Sequence, residues 1–404
     1  MNSSSLNPAA EHSAACPGLA LVERARAAGA VAAAHAAQVD AQPRFPSEAF
    51  DAVRDQRLLG ILVPAELGGE EASVSQVADV CFHLARNCSA TGMIYAMHQV
   101  KVACLARHRH GNAAIDAVLR RLCAEQLLLA SSTTEGQAGG NVRSSEAAVT
   151  HRDGRIELER QATVISYGEN ADGIVTTARR AADATASDQV LIVFLKDDYT
   201  LSRIQGWQTL GMRGTCSEGY LLRANGSPEQ IVSEPYASIH ARTMVPFAHL
   251  LWGSVWAGIA SGAAARAQSF VRTAVRKSGG TLPPGAPRLA EVVSTLKTLR
   301  GMLSDSLRRY ESIMDDPKAL EAVDFQSQIT LTKVQASELA VSTVLAALRV
   351  CGLSGYRCDS PFSVERHLRD VLSSPLMINN DRILANFTLT AMMTPIPGVL
   401  SGES

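Results

Sequence analysis

The most constraining feature of this sequence is a polar, glycine-rich loop followed by short alternating segments, all set between long helical stretches. The loop runs from Ser131 to Ser145, and the segments that follow it up to Arg180 alternate apolar and polar residues. Alternation with a period of two predicts β-strands, and Asp153-Gly154 is typical of a tight turn between two of them. Sequence with a helical period lies on both sides. The chain is therefore expected to be α+β, with a small sheet inserted between two helical blocks.

The helical stretches divide the rest of the chain. Residues 1–17 are rich in Ser, Asn, Ala and Pro and are predicted to be disordered. Residues 18–126 are predicted to form an N-terminal helical domain, residues 127–235 a middle β domain of sheet or barrel form, and residues 236–404 a C-terminal helical domain. The last domain is expected to be a four-helix bundle, built from the long helical segments 245–274, 289–313, 322–350 and 362–393.

Composition argues against several classes of protein. The 404 residues are 46% hydrophobic and 19% charged, as in a globular protein, and a net charge of −1 gives no electrostatic reason to expect nucleic acid or an anionic membrane as a partner. The 8 cysteines form neither a CxxC pair nor a metal-ligand spacing with histidine, which predicts free thiols, no metal site and a cytoplasmic protein. The N-terminus lacks a signal-peptide pattern, and a membrane span is not expected.

Short motifs in the middle of the chain occur in a recognisable order. They are Thr134 to Asn141 (TEGQAGGN), Val164 to Gly168 (VISYG), Ala178-Arg179, and Leu210 to Thr215 (LGMRGT). They resemble the TEPxAGSD loop, the WITNG-type strand, the strand ending in Ala-Arg and the LGMRGT segment of the acyl-CoA dehydrogenase superfamily. The resemblance implies FAD as the cofactor, an acyl thioester on CoA or on an acyl carrier protein as the substrate, and a homodimer or homotetramer as the assembly.

The resemblance also implies a flavin site in the loop and on the strand that follows it. The family positions that match Thr134 and Ser166 contact the flavin ring and ribityl chain, and Ile165 lies beside Ser166 on the same strand. Gly139 and Gly140 allow backbone N–H groups to approach a ligand closely. Val164 stands where the family has a tryptophan that stacks on the flavin. The alternative is a plain glycine-rich loop in front of a sheet.

His98 is a polar residue in an otherwise apolar predicted helix, and Tyr95 lies three positions earlier on the same face. In the family this helix lines the far end of the acyl pocket, so a histidine there would favour a short or polar acyl group. His98 is therefore a candidate for catalysis and, together with Tyr95, for substrate binding. The alternative is a hydrogen-bonded histidine in the protein core.

The glutamate that removes the substrate α-proton in the family, as hydride leaves Cβ for the flavin, has no counterpart here. Counting without gaps, Ile378-Asn379-Asn380 falls at its position, and Asn380 replaces a threonine close to the cofactor, which makes it a flavin candidate. Some relatives carry the glutamate on the first bundle helix, where this chain reads Leu250 to Ser254 (LLWGS). The nearest carboxylate, Asp381, is the candidate base if it is partly desolvated on a buried helix. The alternative is an ion pair of Asp381 with Arg382 or Arg369.

These observations predict an FAD-dependent oxidoreductase that acts on a short or polar acyl thioester. A flavin-dependent monooxygenase or oxidase on the same scaffold is the alternative, because it needs no glutamate base. A non-redox enzyme or a pseudoenzyme remains a further possibility, since the family machinery is altered.

Overall fold

The computed structural model describes residues 21–135 and 144–393. Along this part of the chain a helical block is followed by strands and then by a second helical block, so the predicted α+β class is confirmed. The segment 1–17, predicted to be disordered, lies outside the described residues. The candidate flavin residues Gly139 and Gly140 also lie outside them.

The N-terminal block consists of helices that surround one central, buried helix. A Ser73 capping box starts α3, because the Ser73 hydroxyl accepts from the Gln76 N–H while the Gln76 side chain accepts from the Ser73 N–H. The central helix α4 is apolar on all sides because it packs against α3, the first strand and the first long C-terminal helix. The helices are α1 (Leu21–Ala41), α2 (Ser47–Asp55), α3 (Val74–Asn87), α4 (Ser89–His108) and α5 (Ala113–Glu125).

The middle part contains two small sheets and, within the described residues, no closed barrel. The sheet form of the predicted middle domain is therefore correct and the barrel form is wrong. One sheet has the order β1-β4-β5 and the other β2-β3-β7-β6, and β1 pairs with β4 in parallel. The strands are β1 (Leu129–Ser132), β2 (Thr150–Arg152), β3 (Arg155–Ile165), β4 (Gly173–Arg179), β5 (Gln189–Leu195), β6 (Tyr199–Gln205) and β7 (Glu218–Gly226).

The hairpin predicted at Asp153-Gly154 is present. Arg152 pairs with Arg155 across the turn, and Asp153 and Gly154 have φ values of 50° and 74°. Two successive positive φ values are what a two-residue hairpin turn requires, and they match the right-handed twist of the strands. The turn therefore fixes the register of β2 on β3.

The C-terminal block is built around three long helices that pack against one another, namely α7 (Val245–Lys277), α8 (Arg288–Ile313) and α10 (Val323–Cys351). The predicted fourth long helix is wrong, because it is broken into α12 and α13 by a turn that contains Pro375 and a positive φ of 48° at Ile378. The helices are α6 (Tyr236–Ile239), α7 (Val245–Lys277), α8 (Arg288–Ile313), α9 (Pro317–Glu321), α10 (Val323–Cys351), α11 (Leu353–Tyr356), α12 (Glu365–Val371) and α13 (Asn380–Met393).

The LGMRGT segment joins the middle sheets to α12. A Cβ atom added to Gly211 would lie 2.1 Å from the Arg369 carbonyl oxygen, so the two backbones meet at a distance that glycine alone allows. The next residue, Met212, donates its N–H to the Asp370 carboxylate at 2.7 Å. The motif therefore has a structural role, which is to dock the middle part onto the C-terminal block.

Arg369 is held by carboxylates on both sides. Its guanidinium donates to Asp40 Oδ1 at 3.1 Å and to Glu365 Oε1 at 2.7 Å, and the Asp40 hydrogen bond is the main cause of its raised pKa. Arg369 thus ties α12 to α1 through two paired carboxylates.

Two stretches, Tyr236–Lys277 and Val323–Cys351, are long and apolar enough to cross a membrane by length and composition alone. In the folded chain 89% and 56% of the residues in their most apolar 18-residue segments are buried inside the protein. Packing in the C-terminal core accounts for their apolar character.

Candidate functional site

A cleft opens where α4, the end of β3, α7 and the turn before α13 meet. It has two lobes with volumes of about 440 Å³ and 540 Å³. Both lobes share a wall formed by Met97, Val164, Ser166, Leu376 and Met377. The first lobe extends between α4 and α7, and the second extends toward the LGMRGT segment. A largely apolar cleft of this size at a junction of domains is the usual form of a cofactor or substrate site.

The sheet side of the cleft combines an apolar surface with hydroxyl groups. Thr134 lines the first lobe, and Ser166 lines both lobes. The Ser166 hydroxyl lies 2.8 Å from the Ser217 hydroxyl, which lies 2.7 Å from that of Thr215. Apolar walls with hydroxyls between them suit a planar ring that carries polar edge atoms, and the residues present therefore fit a flavin. Thr134 and Ser166 are the predicted flavin residues that the structure brings together.

Ile165 faces the opposite side of its strand. Successive side chains of a strand point to opposite faces. Val164 and Ser166 face the cleft, whereas the Ile165 side chain is fully buried in the core and lines neither lobe. The prediction of a flavin contact through the Ile165 side chain is therefore not supported by its position.

Asn380 is occupied by contacts with α10. Its side-chain oxygen accepts from Lys333 Nζ at 2.7 Å, and its amide nitrogen donates to Ser337 Oγ and to Glu338 Oε1, each at 2.9 Å. Lys333 also donates to the Ile378 carbonyl oxygen at 2.8 Å. Asn380 thus anchors the turn before α13 to α10 and does not line the cleft, whereas its neighbour Asn379 does.

His98 and Tyr95 lie in the core behind the cleft. His98 Nε2 donates to the Leu59 carbonyl oxygen at 2.9 Å, and its Nδ1 accepts from the Leu129 N–H at 3.0 Å. The Tyr95 hydroxyl donates to the Leu58 carbonyl oxygen at 2.9 Å. Burial lowers the pKa of His98 to about 4, so its ring is neutral. Both side chains hold the turn at Leu58 and Leu59 against α4, and neither lines a lobe of the cleft.

Asp381 is exposed at the beginning of α13 and does not line the cleft. The expected buried helix position for this carboxylate is wrong, because Asn380 and Ile383 are the buried residues of the first turn of α13, whereas Asp381 faces solvent. The expected pair with Arg369 is also wrong, since Arg369 binds Asp40 and Glu365. The next residue, Arg382, lines the first lobe.

His249 on α7 lines the first lobe and was not identified from the sequence. Its Nδ1 lies 3.1 Å from the Ile329 carbonyl oxygen, which can only accept a hydrogen bond, so Nδ1 carries the proton. Burial lowers the pKa of His249 to about 4, and Nε2 is therefore an unprotonated acceptor at neutral pH. The signal was present in the sequence as a histidine in the apolar run VPFAHLLW, the same kind of signal that pointed to His98.

Lys101 on α4 brings a further nitrogen to the first lobe. It is buried, and burial lowers the pKa of its ammonium group to about 8. His240 and Arg382 line the same lobe. Among the described residues that line the two lobes there is no aspartate or glutamate. The cleft therefore offers histidine and cationic groups where a carboxylate base would be expected.

Comparison with protein families gives two matches on either side of the middle sheets. Residues 19–126 match the N-terminal domain of acyl-CoA dehydrogenases, and residues 250–373 match a C-terminal domain of acyl-CoA dehydrogenases. The first matched region contains α4, and the second begins within α7, at Leu250.

Among curated proteins, the chain is 26% identical to a probable acyl-CoA dehydrogenase, fadE25, of Mycobacterium leprae, over 84% of this chain and 85% of the relative. It is also 26% identical to a 3-sulfinopropanoyl-CoA desulfinase of Paraburkholderia xenovorans, over 92% of both chains.

Among solved structures, the FMN-bound TdsC of Paenibacillus sp. A11-2 superposes with a TM-score of 0.81 at 17% identity, over 93% of this chain and 98% of that one. A nitrososynthase of Micromonospora carbonacea superposes with a TM-score of 0.76 at 21% identity, over 93% and 96% of the two chains. At these identities the likeness establishes the fold.

Proposed function

Because the chain belongs to the acyl-CoA dehydrogenase superfamily, we propose that it is an FAD-dependent oxidoreductase that acts on a short or polar acyl thioester. The carrier is CoA or an acyl carrier protein. The observation that carries the proposal is a cleft between the middle sheets and α7 in which a neutral histidine, His249, occupies the helix on which some relatives place their base.

The cofactor would lie against the wall shared by the two lobes. Thr134 and Ser166 are the groups that would hold its polar edge, with Val164 and Met377 against the ring. The flavin, when bound, supplies the acceptor for a hydride from the substrate. FAD is proposed as the flavin, rather than FMN, because of the family resemblance. Mass spectrometry of the flavin released by heating decides between the two.

His249 is proposed to accept the substrate α-proton at Nε2. The hydrogen bond from Nδ1 to Ile329 fixes the tautomer, so the lone pair of Nε2 is available. Because burial keeps the ring neutral, the base is in its active form at neutral pH. The same burial makes His249 a weak base, so Nε2 would take the proton as negative charge develops on the thioester carbonyl beside the ring.

The rate of flavin bleaching tests this assignment. Anaerobic mixing of the flavin-loaded protein with short acyl-CoA thioesters should bleach the flavin absorbance. His249→Asn keeps a donor for the Ile329 carbonyl oxygen but removes the base, and we expect the bleaching rate to fall about a hundredfold or more with flavin content unchanged.

Asp381→Asn is the matched control, since Asp381 is exposed and lies outside the cleft lining. Its bleaching rate should equal that of the wild type. A normal bleaching rate in His249→Asn would refute the role of His249. A slow bleaching rate in Asp381→Asn would indicate that Asp381 takes part in the reaction.

A flavin monooxygenase or oxidase is the second candidate, and the absence of a carboxylate from the described cleft lining favours it. Oxidation of the reduced protein in a stopped-flow instrument separates the two reactions. A long-lived peroxyflavin absorbance would support the monooxygenase, and rapid bleaching by acyl thioesters would support the dehydrogenase. A purified protein that is colourless and does not take up flavin would instead indicate a non-redox protein or a pseudoenzyme.

A further inference from the structure

The side chain of Lys101 is a buried cation that faces the first lobe of the cleft. It is 4% exposed and belongs to the apolar helix α4. Within the described residues its ammonium group has one polar contact, the Met244 sulfur at 3.6 Å. A thioether is a weak acceptor, whereas an ammonium group carries three N–H donors. The donors of Lys101 are therefore not matched by the protein groups around them.

Lys101 also has no partner of opposite charge. Within residues 21–135 and 144–393, none of the ion pairs involves Lys101, and the lobe that it lines contains no carboxylate from these residues. The segment 136–143, which follows Thr134 and Glu135, contains neither Asp nor Glu in its sequence. A buried charge without a partner is costly to a fold, and a ligand that brings the opposite charge would offset that cost.

We propose that Lys101 is a specificity residue that binds an anionic group at the far end of the acyl chain. The substrate class is then an acyl thioester whose acyl chain ends in a carboxylate or a similar anion. This inference rests on the proposed function, since it takes the first lobe as the acyl site. It deepens that function by naming the acyl group.

The arrangement of the lobe supports this assignment. His249 and Lys101 lie on different helices, α7 and α4, that face each other across the lobe. The residues around them include Val100, Val245 and Ala248, which are apolar and exclude water. A salt bridge in such surroundings is weakly screened, and its loss leaves a charge without a partner. We therefore expect an anionic acyl chain to be preferred over a neutral chain of equal length by about 10- to 100-fold in affinity.

Glutaryl-CoA and valeryl-CoA are a suitable pair of probes, because a terminal carboxylate in one replaces a methyl group in the other. Binding to the flavin-loaded protein is followed through the change in flavin absorbance under anaerobic conditions. The wild type should prefer glutaryl-CoA, and Lys101→Met should lose that preference. Lys297→Met, at an exposed lysine of α8 far from the cleft lining, is the matched control and should retain it.

The possible outcomes separate this inference from the proposed function. If both thioesters bind and Lys101→Met leaves their affinity ratio unchanged, the role of Lys101 is refuted while the acyl-thioester function stands. If neither thioester binds the wild type, the proposed function fails, and free glutarate then tests Lys101 by itself. A rise in unfolding temperature with glutarate, absent with the neutral diamide and absent in Lys101→Met, supports an anion site. No rise in the wild type, or an equal rise in both proteins, overturns it.

Discussion

Replacement of Lys101 by methionine should stabilise the protein at neutral pH, and the gain should disappear in alkali. Methionine has a similar length and no charge, so it fills the same space beside Met244 without a desolvation cost. The folded chain holds Lys101 with a pKa of about 8, below the ordinary value of 10.5. This lowering of the pKa costs the folded protein roughly 3–4 kcal/mol in free energy of unfolding.

The direction in which stability changes with pH follows from proton binding. Between pH 8 and pH 10.5 the unfolded chain binds a proton at this lysine that the folded chain has released, so the wild type gains stability as the pH rises through this interval. Below pH 8 Lys101 is protonated in both the folded and the unfolded state, so the wild type carries the full free-energy cost of burying its charge. The advantage of Lys101→Met should therefore be constant below pH 8 and decline above it by about 1.4 kcal/mol for each pH unit.

Urea unfolding of the two proteins at a series of pH values between 6.5 and 10, with the same flavin content, measures this difference. Other groups that titrate in this range contribute equally to both proteins, and they cancel when the two curves are subtracted. A methionine variant that is less stable than the wild type at pH 7 would refute the reasoning. So would a difference between the two proteins that does not change between pH 7 and pH 10.

Three other predictions follow from the packing. His98→Leu should lower the free energy of unfolding by about 1–3 kcal/mol, because it leaves the Leu129 N–H buried without a partner and leaves Gln99 as the remaining side-chain donor to the Leu59 carbonyl, while the bleaching rate of the folded fraction stays normal. A stable variant with altered substrate preference would contradict this. Gly211→Ala should lower the unfolding temperature because its Cβ would lie 2.1 Å from the Arg369 carbonyl oxygen, whereas Gly206→Ala, with nothing within 4 Å, should be neutral. Light scattering should give a dimer or tetramer, because α13 exposes Leu384, Met392 and Met393, and a monomer at micromolar concentration would count against this.

The sequence by itself determined the class of fold and the family. Local patterns carry this information, since helix and strand periods, the Asp153-Gly154 turn and the Ser73 cap each depend on a few adjacent residues. The ordered motifs were likewise readable without a structure. The alternation along Val164, Ile165 and Ser166 was also available in the sequence. A period of two places Val164 and Ser166 on one face of the strand and Ile165 on the other.

The candidate site was decided by tertiary structure. His98 and His249 both lie in apolar helical sequence, and nothing local distinguishes them. His98 forms hydrogen bonds with the backbone of Leu59 and Leu129. His249 forms one hydrogen bond, with the Ile329 carbonyl oxygen, and otherwise lines the cleft. Which partner each side chain finds depends on how helices distant in sequence pack together. Asp381 illustrates the same limit: its neighbours Asn380 and Ile383 are buried against the rest of the fold, whereas Asp381 itself is exposed, and the local sequence does not distinguish these positions.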